Sequence, residues 1–408
     1  MIDFLPSPAV ARTLLTGLVA GEPDDEAARR LFALHAWSCL VEPGDGVAGR
    51  VVAALGPEAA LAAVSSESPP HTVLETTDLT AAQWQRARDR WRPRLVAREV
   101  RNALEIARHS ELAMLVPGDR HWPAALTDLG QHAPFLLWVR GDPGALVHLT
   151  PSVALVGARA ASGYGEHVAA ELSADLAGRG VTVVSGAAYG IDGAAHRAAL
   201  AAGGRTVALL AGGADQPYPR GHSELIRQIA QSGAVLSEVP CGSPPTKWRF
   251  LQRNRLIAAL AGATVVVEAG WRSGSLNTAA HAAALGRPLG AVPGPVTSAS
   301  SAGCHRVLRE FDGRCVTNAA EIIELLGDLE PTLFDLPSPS GGGGRTDDRT
   351  RITDAMSFRT WRETTEIARR SGLAPAEVTA ILGLLSLEGA VVNGNGGWRR
   401  TRPVAQTG

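Results

Sequence analysis

The fold class is most evident in residues 152–200, which read SVALVGARAASGYGEHVAAELSADLAGRGVTVVSGAAYGIDGAAHRAAL. Two short apolar runs, 152–157 and 181–186, end in small residues, and each precedes a segment long enough for a helix. Buried parallel strands form continuous apolar runs of this kind, because helices cover both faces of their sheet. The stretch therefore predicts two strand–turn–helix units of an α/β fold.

The same pattern recurs further along the chain. Apolar runs at 205–213, 234–238, 264–270 and 288–294 alternate with segments of helical length. This alternation predicts a doubly wound, mostly parallel α/β sheet within residues 115–328.

The regions on either side of this predicted domain differ from it in composition. Residues 1–110 have apolar residues at helical spacing and predict a helical domain, either a packing domain or a helix-hairpin-helix-like (SAM-like) module that contacts DNA. Residues 329–350 combine Pro, Ser and four consecutive glycines, which predicts a flexible linker. Residues 351–403 predict a helix, a turn at Gly372, a second helix and two strands, the order of a winged helix. Both DNA contact and protein docking remain open for this last domain.

Composition narrows the class of protein. The 408 residues exceed what one core supports, and 45% hydrophobic with 19% charged residues is typical of a globular protein. A formal net charge of −1 gives no overall attraction to nucleic acid, so an anionic partner must meet a local basic surface. The four cysteines form no C-x-x-C pair, which argues against a zinc knuckle or a disulfide framework. No signal sequence or long apolar run is seen, so we expect a cytoplasmic protein without membrane contact.

Three predicted strand-to-helix loops combine glycines with polar side chains. The carboxyl ends of parallel strands meet at one edge of a sheet, so we expect the loops to form one phosphate-binding crevice, where Arg159 and Arg272 could neutralise charge. Taken singly, each loop could also be a tight turn with a serine N-cap. The candidates are Gly157, Arg159, Ser162, Tyr164 and Gly165 in the first loop, Ser185, Gly186, Ala188, Gly190 and Asp192 in the second, and Ser273, Gly274, Ser275 and Thr278 in the third.

Basic residues beside aromatic ones form a second group, between residues 214 and 260. Arginines next to aromatic rings are typical of surfaces that bind single strands, where bases stack and the backbone follows positive charge. Two of these arginines are two positions apart on a predicted helix, so at most one should face the crevice. Tyr218, Trp248 and Phe250 lie among them and could stack on bases, but for Trp248 and Phe250 the preferred interpretation is a position in the core. The candidates are Arg220, Lys247, Arg253, Asn254 and Arg255.

Motifs for catalysis or cofactor binding are not found. The spacing of Gly157, Gly163 and Gly165 is not G-x-G-x-x-G, which disfavours a nicotinamide or flavin cofactor, and no Walker loop, G-x-S-x-G or H-E-x-x-H occurs. Asp192 and His196, four residues apart, could form a ligand or acid–base pair, but a carboxylate bound to backbone is the preferred interpretation. We predict no catalytic residue, no metal and no cofactor.

Several blocks closely resemble the DNA-processing protein A family (DprA, also called Smf). They are 121–141, 185–200, 252–260, 272–287 and 291–294, and their order and spacing match over about residues 115–326. The resemblance implies an extended Rossmann-like fold that binds single-stranded DNA without strong sequence preference and forms homodimers. It further implies loading of RecA during natural transformation, displacement of single-strand-binding protein, and no nucleotide hydrolysis.

The resemblance also assigns individual residues. The family's phosphate-binding arginine falls on Arg159, in GAR where the family usually has GSR, and its basic residue after Tyr-Pro falls on Arg220. The change to Ala158 removes one hydrogen-bond donor and keeps the charge.

Two other functions remain open at this point. A Rossmann-like nucleotide hydrolase of the lysine-decarboxylase-like type would need a G-G-x-G-T loop followed by a glutamate, whereas residues 272–282 contain His281 and no glutamate. A winged-helix transcription factor with an α/β sensor domain would bind duplex DNA tightly through residues 361–402.

Overall fold

The computed structural model describes residues 4–66, 71–147, 149–327, 348–358, 360–371, 373–394 and 396–401. The chain divides into two compact units, residues 1–330 and 331–408. The first unit begins with helices α1 (Pro8–Leu15), α2 (Asp25–Leu40), α3 (Gly46–Leu55), α4 (Pro57–Ser65), α5 (His71–Thr76), α6 (Ala81–Trp91) and α7 (Ala97–His109).

These helices pack around a tryptophan cluster. Trp37 and Trp84 both make edge-to-face contacts with Trp91, at ring-centroid distances of 5.2 and 5.9 Å. The same hydrophobic core includes Met114 and Trp138, which lie in the first two strands of the sheet. The predicted helical region is therefore present and packs against the sheet, while a domain boundary near residue 110 stays a prediction.

No single helix in the described residues is long and apolar enough to cross a membrane. Helices α3 and α4 reach that length and composition only together, as a pair bent by 114°.

The rest of the first unit contains the main sheet and its covering helices. The strands are β1 (Ala113–Leu115), β2 (Leu137–Gly141), β3 (Ser152–Gly157), β4 (Thr182–Ser185), β5 (Thr206–Leu209), β6 (Ala234–Ser237), β7 (Ala263–Glu268), β8 (Leu289–Ala291) and β9 (Arg314–Cys315). The helices are α8 (Gly163–Gly178), α9 (Ile191–Ala201), α10 (Ser223–Ser232), α11 (Lys247–Leu260), α12 (Ser275–Ala284), α13 (Ala302–Glu310) and α14 (Ala319–Leu326). Short 3-10 helices occupy Arg92–Arg94, Ala124–His132, Pro143–Leu146 and Arg220–His222.

The strand order is β1-β2-β6-β5-β4-β3-β7-β8-β9. β1 and β2 pair antiparallel, β2 also pairs antiparallel with β6, and the remaining neighbours are parallel. From β3 the chain builds the sheet in one direction to β6, and from β7 it builds in the other direction. The neighbours β3 and β7 therefore flank the topological switch point, where open α/β sheets bind their ligands.

Both faces of the sheet are covered. On β3, Val153 and Leu155 belong to the core shared with α8, α9 and α14, whereas Ala154 and Val156 belong to the core shared with α11 and α12. Successive side chains of a strand point to opposite faces, so a strand buried on both sides must be apolar throughout. The predicted doubly wound, mostly parallel α/β sheet is confirmed.

The second unit has the winged-helix order predicted from the sequence. Its elements are α15 (Asp348–Ala355), α16 (Thr364–Ser371), α17 (Pro375–Leu387), β10 (Val391–Gly394) and β11 (Gly397–Arg400). Ile352, Ile367, Leu382 and Leu385 lie in its small core. Gly372, where a turn is predicted, and residues 329–347 of the predicted linker lie outside the described residues.

Candidate functional site

A cleft of about 700 Å³ opens at the carboxyl edge of the sheet, across the switch point between β3 and β7. Its walls come from the loops after β3 and β7 and from the first turns of α11. Residues from all three predicted loops and from the basic helix therefore meet in one place. The predicted residues that line it are Gly157, Arg159, Ala188, Asp192, Lys247, Arg253, Asn254, Ser273, Gly274, Ser275 and Thr278.

Arg159 is exposed at the end of β3 and lies over an aromatic ring. Its Cζ is 4.4 Å from the ring centroid of Phe250, and the ring of Tyr218 lies 5.6 Å from that of Phe250. A guanidinium over a ring face is held by a cation–π interaction. In the described residues no carboxylate pairs with Arg159, so its charge remains available to an anion.

Phe250 is a site residue that the sequence interpretation missed. It is half-buried and lines the cleft together with Lys247. The two residues are three positions apart on α11, a spacing that places side chains on the same helix face. This spacing from Lys247 is the feature of the sequence that could have placed Phe250 at the cleft. The core interpretation of Trp248 is wrong, because this side chain is 55% exposed.

The other predicted residues of the first loop do not line the cleft. Ser162 caps α8 by accepting a hydrogen bond from the Gly165 N–H, and its own N–H and hydroxyl donate to Glu268 at 2.8 and 2.7 Å. The Tyr164 hydroxyl donates to the Pro293 carbonyl at 2.8 Å. A Cβ on Gly165 would clash with the Glu268 carboxylate. These residues hold the loop in place, as the N-cap alternative proposes.

The second loop contributes Ala188 and Asp192 to the cleft, while its other predicted residues shape the backbone. The Ser185 hydroxyl donates to the Leu155 carbonyl at 2.6 Å. Gly186 packs directly on the Arg253 guanidinium, which leaves no room for a side chain. Gly190 has a φ of +73°, a conformation that glycine adopts without strain.

Arg253 and Asp192 are both buried and both line the cleft. The Nη1 of Arg253 donates to the carbonyls of Gly186 and Leu209 at 2.8 and 2.5 Å. Burial lowers the pKa of Arg253 to about 10, so it stays protonated at neutral pH. Burial raises the pKa of Asp192, an effect that outweighs Arg253 and the Gly186 N–H, which donates to Asp192 at 3.1 Å.

Asp192 and His196 do not act as a pair. The Nδ1 of His196 lies 2.7 Å from the hydroxyl of Thr206, and burial lowers the pKa of this histidine to about 3. Across the described ranges, no group of three or more His, Cys, Asp or Glu side chains could hold a metal ion.

Arg255 belongs to the fold and not to the cleft lining. Its two terminal nitrogens donate to the Glu238 carboxylate at 3.0 and 2.6 Å, and both side chains are buried. As their spacing predicts, only one of Arg253 and Arg255 reaches the cleft. The prediction of Arg255 as an anion-binding residue is corrected here, because its planar guanidinium already binds a carboxylate through both ends.

The third loop presents the start of a helix to the cleft. The hydroxyls of Ser273 and Ser275 lie 2.7 Å apart, and α12 begins at Ser275. The Asn254 amide holds this loop by donating to the Gly274 carbonyl at 3.2 Å. The helix dipole makes such a start attractive to phosphate, although the Leu276 and Asn277 N–H groups already donate to the Ser273 and Gly274 carbonyls. Arg272, which also lines the cleft, adds a positive charge.

Arg220 lies beside the cleft rather than in it. It is exposed and lines a neighbouring cavity of about 800 Å³. Tyr218 and Pro245 line both cavities, so the two adjoin, and the second is lined by Asp215 as well as Arg220.

Two family models match the chain. The model described as DNA recombination-mediator protein A matches residues 113–327, and the model described as DprA winged helix domain matches residues 337–397. The chain is 49% identical over 301 residues to a putative DNA processing protein DprA from Mycobacterium tuberculosis, covering 71% of this chain and 77% of the relative. It is 36% identical over 293 residues to protein Smf from Escherichia coli, with the same two coverages.

A solved structure supports the same relationship. The X-ray structure of DNA processing protein A from Streptococcus pneumoniae aligns with a TM-score of 0.57 at 27% identity, covering 72% of this chain and 96% of that chain. Family models, relatives and a solved structure thus agree with the motifs described above. The chain belongs to the DNA recombination-mediator protein A family, also known as DprA or Smf.

Proposed function

We propose that the cleft binds single-stranded DNA without strong sequence preference and that the chain acts as a recombination mediator during DNA uptake. The observation that supports this most is the juxtaposition of Arg159, Phe250 and Tyr218 at the cleft. A strand without a partner exposes bases that can stack on aromatic rings, while its phosphates attract the nearby cations.

The charges around the cleft favour a polyanion. Arg159, Lys247 and Arg272 are exposed at its walls, and Arg253 adds a buried positive charge. Asp192, the carboxylate that lines the cleft, is already bound by the Gly186 N–H. Several cations around one cleft fit a chain of phosphates better than a single mononucleotide.

The polar groups of the cleft favour binding that tolerates many sequences. The Asn254 amide donates to the Gly274 carbonyl and to Asn277, so it has little capacity left to read a base edge. Backbone contacts and stacking carry no strong base preference, because every base has a phosphate and a π face.

The partners in this proposal follow from family membership. A recombination mediator holds a single strand and delivers it to a recombinase, so we extend the proposal to loading of RecA, displacement of single-strand-binding protein and action as a homodimer. No catalytic step is required, because the proposed role consists of binding and transfer.

Binding measurements across a salt series test this proposal. We expect fluorescence anisotropy to show tighter binding of a single-stranded oligonucleotide than of the matched duplex, and weaker binding as salt rises, because phosphate contacts release counterions. Arg159→Ala should weaken strand binding about fivefold or more for every sequence tested, through loss of a phosphate contact.

Arg227→Ala provides the matched control, because Arg227 is an exposed arginine on α10 that pairs with Glu224 outside the cleft. It should bind like the unaltered protein. Equal affinity for duplex, or an Arg159→Ala variant that binds normally, would contradict the proposal.

A further inference from the structure

We infer that Trp271, together with Arg306, forms a second contact for single-stranded DNA at the end of the cleft opposite Tyr218. This inference rests on the proposed function and extends it, because it defines the path of the bound strand across the edge of the sheet.

The position of Trp271 in the fold is the first step. Trp271 follows β7, between Gly270 and Arg272, and both of these neighbours line the cleft. Tyr218 follows β5, and strands β4 and β3 separate β5 from β7. Three strand spacings of roughly 4.8 Å separate the ends of β5 and β7 by about 14 Å, a length that about three extended nucleotides span.

The exposure of Trp271 is the second step. Its side chain is 56% exposed, whereas Trp37, Trp84, Trp91 and Trp138 are fully buried. One exposed apolar side chain is ordinary on a protein surface, so exposure alone does not indicate a ligand. At the lip of a basic cleft, however, an exposed indole offers the stacking surface that unpaired bases use.

The charge around Trp271 is the third step. The Cζ of Arg306 lies 5.4 Å from the Trp271 ring centroid, and Arg309 is exposed on the same helix, α13. Glu310, also on α13, accepts a hydrogen bond from the Nε of Arg306 at 2.5 Å. This contact leaves the terminal nitrogens of Arg306 without a hydrogen bond in the described part of the chain. Arg306 is therefore the cation in contact with the indole, and the next residue in the chain, Arg272, adds a second positive charge at the cleft.

A nucleic-acid strand fits this surface better than a protein segment does. The surface is continuous with the cleft through Arg272, and its net charge is positive. A strand that stacks on Phe250 or Tyr218 and crosses the start of α12 would arrive at Trp271. A strand too short to cross the cleft would not reach it.

The test compares oligonucleotides of two lengths with the full-length chain. Binding of a thymidine 2-mer and a thymidine 20-mer is measured for Trp271→Ala and Trp271→Phe. We expect Trp271→Ala to weaken 20-mer binding about tenfold, the effect of losing one stacked base, and to leave 2-mer binding within about twofold. Trp271→Phe should restore most of the 20-mer affinity, because a phenyl ring also stacks.

Phe358→Ala is the control for a general loss of exposed aromatic surface. Phe358 is 41% exposed in the second unit and has the Arg400 guanidinium 4.4 Å from its ring centroid. This variant should bind both oligonucleotides normally.

Three outcomes would overturn the inference. Normal 20-mer binding by Trp271→Ala would do so, as would equal weakening for both lengths, which would place the indole in the cleft itself. A Trp271→Phe variant as weak as Trp271→Ala would exclude stacking. If Arg159→Ala weakens binding while Trp271→Ala does not, this inference fails and the proposed function stands.

Discussion

The carboxyl edge of the sheet and the second helix of the winged helix, α17, are the two places where DNA contact is expected from motifs, and their surfaces differ. The sheet edge exposes Arg159, Lys247 and Arg272. Helix α17 contains a single charged residue, the acidic Glu377, and exposes Leu384 and Leu387 at 61% and 88%. Nucleic-acid affinity depends on cations that meet phosphates, so an element order typical of DNA readers does not establish DNA binding.

The basic residues elsewhere in the winged helix do not change this contrast. In the β10–β11 hairpin, Arg399 lies 4.6 Å from the ring centroid of Trp361, and Arg400 lies over Phe358. Between the two roles left open by the sequence, the uncharged face of α17 favours docking over reading of duplex DNA. The sheet edge has the positive charge that phosphate binding requires, whereas the winged helix has only the element order of a DNA-binding domain.

Among substitutions at the sheet edge, we expect the greatest loss of single-strand binding at Phe250. Phe250→Ala should weaken single-strand binding about tenfold to fiftyfold, because it removes a stacking surface and also the ring beneath the Arg159 guanidinium. Anisotropy with single-stranded oligonucleotides measures the loss, and thermal denaturation checks that the variant is folded.

Phe250→Tyr serves as the matched variant for this prediction. It keeps an aromatic face and should retain most of the affinity, whereas Phe250→Leu should resemble the alanine variant. Equal affinities for the tyrosine and leucine variants would show that the side chain fills space without stacking.

A smaller effect is expected at Glu42, which connects the N-terminal helical region to the cleft helix α11. Its carboxylate accepts hydrogen bonds from Arg249 at 2.9 and 3.0 Å and from Arg94 at 2.7 Å. Glu42→Gln should weaken strand binding about twofold to fivefold, because α11 carries Lys247, Phe250 and Arg253 and is held less firmly without these ion pairs. Glu224→Gln, which alters the exposed pair with Arg227, should have no effect on binding.

The pH dependence of stability tests the same ion pairs. Burial acts to raise the pKa of Glu42, but Arg249 and Arg94 outweigh it and hold the pKa below its ordinary value of 4.5. A carboxylate with a lowered pKa stabilises the folded state above its ordinary pKa, and this contribution is lost as pH falls through the folded pKa. Glu42→Gln should therefore melt below the unaltered protein at pH 7, and the difference should shrink in acid. A difference that grows in acid would refute this account.

The sheet and the meeting of its loops follow from the sequence, because both depend on local patterns. Apolar runs such as 152–157 mark strands buried on both faces, and parallel strands bring their carboxyl ends to one edge. The position of Arg159 at the cleft is a direct consequence.

The hydrogen-bond partners of individual polar residues could not be predicted from the sequence, because they depend on contacts between distant parts of the chain. Ser162 looks like a phosphate donor in its loop, but it binds Glu268, a residue 106 positions away. Arg255 similarly binds Glu238, a residue 17 positions away in the sequence. Trp248 and Phe250 share one helix turn, and only their positions on the helix decide which one lines the cleft.

Removal of the winged helix should change single-strand binding least, and it tests whether this second unit contributes to DNA binding. Deletion of residues 345–408 should leave single-strand affinity within about twofold, because the residues that line the cleft all lie in the first unit and α17 supplies no cation for phosphate. The truncated and full-length proteins are compared by anisotropy with the same single-stranded and duplex oligonucleotides. Loss of single-strand binding would show that the binding site does not lie in the first unit alone. Loss of duplex binding alone would instead show that the winged helix contacts duplex DNA through residues outside the uncharged face of α17. The single-stranded oligonucleotide therefore tests the cleft, and the duplex tests the winged helix.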